Sequence, residues 1–333
     1  MPVMNHPSRT FGRRRILQLG ASSFVYASPL IATARAFPTK HIRLISPYPA
    51  GGAVDQVSRA LSDSLAAELR QPVVAEALPG AGGSIGTQVV AKSDADGHTW
   101  LMATPSHIAT PYLQPTPYDP VRDFKAAAVV GSGRAVAVVP ATSSARTMAD
   151  LIRLAKARPG ELNYLNAGNG SVAHMSTELF KLHAKISMQA VLYKGLPPGV
   201  QDLAAGRLDF GFVSLQVALP LITAGRLRAI AISTPVRQPD LPEVMTLDEQ
   251  GFATSYIPGW FMVCVPAATP RLVIDRINAA VNKSVAAADV RKNLATAFVT
   301  PALRQTPEQC QSLLLRDHQR IGVIIKEAKI KAS

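Results

Sequence analysis

From His41 onward, short apolar runs alternate with stretches in which apolar residues recur every three or four positions. That alternation belongs to α/β proteins whose strands and helices take turns along the chain. The first unit sets the pattern. Ile42–Ser46 reads as a strand, 47–54 as a Gly/Pro loop, and Asp55–Arg70 as a helix with Val57, Leu61, Leu65 and Leu69 along one face. Val73–Glu76 then predicts a strand, Leu78–Gly83 a second glycine-rich loop, Ile85–Lys92 a helix and Thr99–Ala103 a strand. Two glycine-rich loops therefore each lead into a helix N-terminus.

Ala135–Pro140 is a continuous apolar run, and the next helix opens at Thr147 with Asp150 three residues on, a capping box. A further array of alternating elements runs to about Ser233. Within it, Gly206 and Gly225 stand in two similar Ala-Gly-Arg-Leu segments and read as helix C′ glycines before strand entry. Trp260–Val265 is another strand. Beyond it the pattern is helical: Pro270–Ala287 capped by Thr269, Asp289–Ala297, and a long helix from Pro307 capped by Thr306. The distribution predicts two α/β lobes, each a mostly parallel sheet flanked by helices, with the chain crossing between them near 135–140 and 260–265. Residues 37–140 plus 255–333 form the first lobe, and 141–254 the second. A cleft between such lobes is the architecture of hinge-closing binding proteins.

The 333 residues leave room for a substantial core, and 47% of them are apolar while 17% are charged. The formal charge is +13, but residues 1–36 carry five arginines and no acid, so the remainder holds 30 basic against 22 acidic residues, a net of +8. That excess is spread out with no basic run, which suits small anions and argues against a nucleic-acid partner.

Arg13, Arg14 and Arg15 precede a mildly apolar stretch from Leu19 to Thr33, and Ala34-Arg35-Ala36 supplies a small-x-small cleavage pattern. Residues 1–36 thus read as a signal peptide of twin-arginine flavour, with the mature chain starting near Phe37; the apolar stretch is shorter than the roughly 20 residues a bilayer span needs. The two cysteines, Cys264 and Cys310, read as buried apolar residues, since nothing in the sequence brings them together.

Candidate chemistry gathers on the loops. In 47–55, Gly51 and Gly52 precede a helix start, where outward N–H groups and the macrodipole favour an anion. In 79–86, Gly82-Gly83-Ser84-Ile85-Gly86 matches the nucleophile elbow of α/β-hydrolases, which would make this an exported hydrolase using Ser84, but Ala77 to Gly83 separate the serine from its strand, and Ser84 reads better as a helix N-cap. A dinucleotide site lacks its acid on the following strand. In 166–174, Asn169, Gly170 and Ser171 offer polar groups at a helix start, and His174 in the first turn reads as a neutral contact of lowered pKa. Loop 193–199 adds Tyr193, Lys194 and Gly195. Histidines 98, 107, 174, 183 and 318 show no metal-ligand spacing, so neither metal nor cofactor is expected.

Taken in order, these stretches resemble the solute receptors of the tripartite tricarboxylate transporters, the Bug-type receptors, across essentially the whole chain after Phe37. The likeness rests on I-R-L-I-S-P-Y-P-A-G-G-A-V-D (42–55), Q-P-V-V-A-E-A-L-P-G-A-G-G-S-I-G (71–86), D-G-H-T-W-L-M-A (96–103), P-Y-D-P-V-R-D-F (117–124), L-N-Y-L-N-A-G-N-G-S-V-A-H (162–174), Y-K-G (193–195) and G-W-F-M-V-C-V-P-A-A-T-P (259–270). The resemblance implies a monomeric periplasmic receptor, not an enzyme, that closes on one small organic anion, mostly a carboxylate, and delivers it to membrane permease subunits. A receptor feeding a membrane signalling partner is the alternative it leaves open. Carried over by motif, the ligand-binding positions are Tyr48, Ala50, Gly51 and Asp55; Gly82, Gly83 and Ser84; Asn169, Ser171 and His174; and Tyr193, Lys194 and Gly195. Two departures stand out. Ala77 and Leu78 occupy positions where the family commonly has Asn-Arg, and Val213-Ser214 stands where an aspartate and a small polar residue are common. Both remove polarity near the cleft, and Val213 with Ser214 joins the candidate site on that account.

Overall fold

The computed structural model describes residues 37–193 and 195–330. The expected signal peptide, and Lys194, lie outside the described residues. In the first half the elements run β1 (Ile42–Ser46), α1 (Ala53–Leu69), β2 (Val73–Ala77), α2 (Ser84–Ala91), β3 (Thr99–Ala103), α3 (Pro105–Leu113), β4 (Phe124–Gly133), β5 (Ala135–Pro140), α4 (Met148–Ala157) and β6 (Asn163–Asn166). They continue as α5 (Val172–Ala184), β7 (Gln189–Leu192), α6 (Leu196–Ala204), β8 (Gly211–Ser214), α7 (Leu215–Thr223), β9 (Leu227–Ile232), β10 (Gly259–Pro266), α8 (Arg271–Ala286), α9 (Ala288–Thr296), β11 (Val299–Pro301) and α10 (Pro307–Glu327).

A six-stranded sheet has the order β11-β4-β10-β3-β1-β2, a three-stranded sheet the order β8-β5-β9, and β6 pairs with β7. β1 runs parallel to β2 and β3. β10 returns from the second sheet in the opposite sense and lies antiparallel to both β3 and β4. β5 is antiparallel to β8 and β9. The α/β architecture therefore stands, but the six-stranded sheet is mixed and the three-stranded sheet antiparallel where mostly parallel ones are expected, because the strands that cross over, β5 and β10, arrive reversed. The crossing strand Ala135–Pro140 also pairs wholly with β8 and β9, so it joins the second sheet and not the first.

Two clusters of buried apolar side chains flank the six-stranded sheet. One collects the α1 stripe of Val57, Leu61, Leu65 and Leu69 with Trp100 and residues of α8. The other packs α10 and α3 against the opposite face and includes the buried Trp260. The Trp260 indole donates to Asp317 Oδ2 at 2.7 Å, which satisfies the one polar atom that the ring buries. Cys264 and Cys310 are free and buried, and they share this second cluster, so the fold does bring them into one core. The second sheet is likewise covered on both faces, by Phe180, Phe210 and Phe212 on one and by Leu203, Val213 and Leu215 on the other.

Local signals are realised closely. Thr147 with Asp150 and Thr306 with Gln309 form reciprocal capping boxes. Gly206 and Gly225 follow α6 and α7 at φ 74° and 67°, the left-handed conformation expected of C′ glycines. One cap moves by a residue. α8 starts at Arg271 with Pro270 in the cap position, and the Thr269 hydroxyl is buried without a partner among the described residues.

Candidate functional site

A cavity of about 190 Å³ lies where elements of the two larger sheets meet. At roughly 30 Å³ per water in the liquid, that is space for about six waters, the scale of a small organic acid. Four helices begin at it: Ala53 opens α1, Val172 and Ala173 open α5, Leu196 opens α6, and Ser214 caps α7. Each helix start carries unpaired N–H groups and about half a positive charge, so their convergence makes an anion-receptive end without any side-chain cation. α1, α6 and α7 reach the cavity with no side-chain cap. The remaining wall is mainly apolar, with Phe212, Phe261 and Phe298 prominent beside Tyr256 and Gln216, and Arg134 stands at the link between β4 and β5.

The structure brings three of the four predicted loops and the end of β8 to this place. It does so chiefly through their helix-starting neighbours. Among the predicted residues described, Val213 and Ser214 line the cavity directly. In the first loop, Gly51 N–H donates to Asp55 Oδ2 at 2.9 Å and Gly52 N–H to Pro49 O at 3.2 Å, so the expected outward amides are engaged within the loop. Asp55 is buried, and the Arg59 guanidinium, donating to the same oxygen at 3.0 Å, holds its carboxyl below the usual range. Ala50 is exposed just ahead of this turn.

The second loop meets the first instead of the cavity. A Cβ on Gly83 would stand 3.3 Å from the Tyr48 ring and hydroxyl, a tight contact, and Gly83 has φ 97°. Only glycine adopts that conformation against the ring without strain. Tyr48 in turn shares a hydrogen bond with the Thr104 hydroxyl at 3.2 Å, and burial raises its pKa. The Gly82 carbonyl accepts from Thr110 Oγ1 at 3.4 Å. Ser84 is the first residue of α2, with Gly83 in the cap position, and its hydroxyl is buried. It sits seven positions after β2 ends, not in a strand-to-helix elbow.

In the third loop, Ser171 caps α5 by accepting the His174 N–H at 3.2 Å, and His174 Nδ1 accepts from Gly170 N–H at 3.3 Å. Asn169 Oδ1 accepts from Asn166 Nδ2 at 2.7 Å. Burial lowers the His174 pKa to about 4, so the ring is neutral, as its position predicts, though with desolvation as the main cause. In the fourth loop, the Tyr193 hydroxyl donates to Asp202 Oδ2 at 2.7 Å, and Gly195 holds φ 102° as the cap of α6. Val213 is 1% exposed and packs with Val136, Leu203 and Leu215 while bordering the cavity. Sequence reasoning missed Arg134, Phe261 and Phe298. The signal for Arg134 was a lone arginine between two apolar strands; Phe261 and Phe298 sit in apolar runs that read only as core.

Residues 57–330 match the family described as "Tripartite tricarboxylate transporter family receptor". The chain belongs to that receptor family. Among curated relatives of this receptor, a protein encoded in the tcbD-tcbE intergenic region of a Pseudomonas species is 34% identical over 324 residues, covering 97% of this chain and 96% of its own. BugT of Bordetella pertussis is 33% identical, covering 90% of this chain and 93% of its own. A solved R. palustris protein with adipate is 31% identical, with a TM-score of 0.74, covering 89% of this chain and all of that one. MatC from Rhodopseudomonas palustris with bound malate is 26% identical, with a TM-score of 0.70 over 87% of this chain and all of that one. The receptor is thus a solute-binding protein of a periplasmic family and not an enzyme, and its family serves tripartite tricarboxylate transporters.

Proposed function

We propose that this receptor captures one small organic carboxylate in the cavity at the four helix starts and delivers it to the membrane permease subunits of a tripartite tricarboxylate transporter. The single observation that carries the reading is the convergence of α1, α5, α6 and α7 on a space the size of a small acid. The adipate and malate held by relatives of the same fold support it. One lobe is built on the six-stranded sheet and the other on the β8-β5-β9 and β6-β7 sheets, and capture proceeds by their closing as a monomer.

Residues 1–36 act as the export signal, with the twin arginines at Arg13 and Arg14 and cleavage between Ala36 and Phe37. N-terminal sequencing of periplasmic extract should begin at Phe37; an intact Met1 in washed membranes overturns this part. Calorimetry and thermal shift with adipate, malate, citrate, benzoate and hexanoate test the binding. At least one should bind one-to-one and, at 100 times its Kd, stabilise the protein by about 2.7 kcal/mol. If no carboxylate shifts the melt, the reading fails.

A further inference from the structure

Phe298 follows α9 at the position where a helix commonly ends in glycine, and its backbone is left-handed, with φ 55°. For a bulky aromatic residue that conformation is a true outlier, held only where the surroundings over-determine it. Here they do. The Phe298 N–H donates to Ala295 O at 2.9 Å, and its carbonyl accepts the Arg134 N–H at 2.9 Å. The Arg134 guanidinium lies 5.1 Å from the ring centroid, a cation–π contact. The ring itself borders the cavity and packs against the apolar cluster of the second sheet, although Phe298 immediately precedes a strand of the first.

Arg134 is the charged side chain bordering this cavity among the described residues. Its Nη1 donates to Asp240 Oδ2 at 2.8 Å and to Gln238 Oε1 at 3.3 Å, and its Nη2 to Ala295 O at 3.2 Å. Its charge is thus matched by Asp240, while its buried Nε has no partner among the described residues. The helix starts receive a carboxylate; Phe298, Phe261, Phe212 and Val213 give the cavity a continuous apolar stretch, with Tyr256 and Gln216 as the other polar side chains beside Ser214 on its border.

We infer that Phe298, held beneath Arg134, is a specificity-determining residue that selects an acid with a single carboxylate and an apolar body. The inference deepens the carboxylate-receptor reading and rests on it. An apolar tail gains by leaving water for this wall, whereas a second carboxylate would lose its hydration and find its counter-charge already paired with Asp240.

Hexanoate and adipate form a decisive pair, since they have the same six-carbon length and differ in the second carboxylate. Calorimetry should show the wild type binding hexanoate at least tenfold more tightly than adipate. Phe298→Gly and Phe298→Asn place residues at home in left-handed backbone. Each should weaken hexanoate about tenfold while changing adipate less than twofold, with ligand-free melting confirming the fold. Adipate binding as tightly as hexanoate in the wild type overturns the inference alone, as does an unchanged ratio in folded variants. Should either variant fail to fold, the wild-type ratio still decides. If hexanoate, adipate, benzoate, malate and citrate all fail to bind, the carboxylate-receptor reading falls with it.

Discussion

Gly51 donates its backbone N–H to Oδ2 of Asp55, four residues later, at 2.9 Å. The first glycine loop is thereby closed on its own helix, with Arg59 braced on the same oxygen. Asp55→Ala should cost about 2 kcal/mol of stability, the scale of hydrogen bonds to a charged acceptor, read as a shift in urea midpoint. The pH sign follows from the depressed carboxyl pKa. Its stabilisation is present above the ordinary aspartate range near pH 4 and is lost as pH falls through the lower folded value, so Asp55→Asn should flatten the acid limb of the stability profile.

His107 and His174 are both buried, and burial lowers each pKa to about 4. Unfolded histidines take up protons near pH 6.5 while these do not, so stability should fall as pH drops from about 6.5 toward 4, by at most about 1.4 kcal/mol per pH unit for each. Urea midpoints between pH 4.5 and 7.5 check this. Substituting either histidine by glutamine should remove its share of the slope.

Val213 lies within an apolar cluster, 1% exposed. Val213→Asp should lower stability by a few kcal/mol without ligand, because the carboxylate would be buried among apolar side chains while Arg134, at the same cavity, is already paired with Asp240. Ligand-free thermal melts decide. An unchanged melting temperature would mean that this side chain turns toward the cavity and its water.

Burial raises the thiol pKa of both Cys264 and Cys310, that of Cys310 to about 11. Neither should react with iodoacetamide at pH 8 in the native protein, and both should react in guanidinium, since the thiolate is the reacting form. Mass spectrometry counts the adducts.

Elements with one buried face were legible in the sequence. β1 falls where its apolar run placed it, and α1 starts two residues before, and ends one before, the expected Asp55–Arg70. β4 was not legible. Its Phe-Lys-Ala-Ala-Ala-Val-Val-Gly core carries small residues because α8 and α10 press on its two faces, which erases both alternation and strand propensity. α3 was masked by Pro111 inside it, which reads as a helix breaker. At the site, motif reading found the loops but not their direction. Whether Gly51 N–H faces outward or toward Asp55 depends on side-chain geometry that spacing does not encode. Arg134 and Phe298 meet across 164 residues of chain, so no local pattern announces them.

β4 ends at Gly133 in one sheet and β5 begins at Ala135 in another, with Arg134 alone between them. A linker of one residue contributes two soft torsions. Such a link holds the two sheets together at this point, so a movement of one sheet against the other would have to turn about torsions beside the cavity. A small bend there sweeps the far rims through a wide arc while barely changing distances at the cavity floor. The molecule would then read its ligand as an angle, and small-angle scattering, sensitive to the distant rims, is the measurement that sees it.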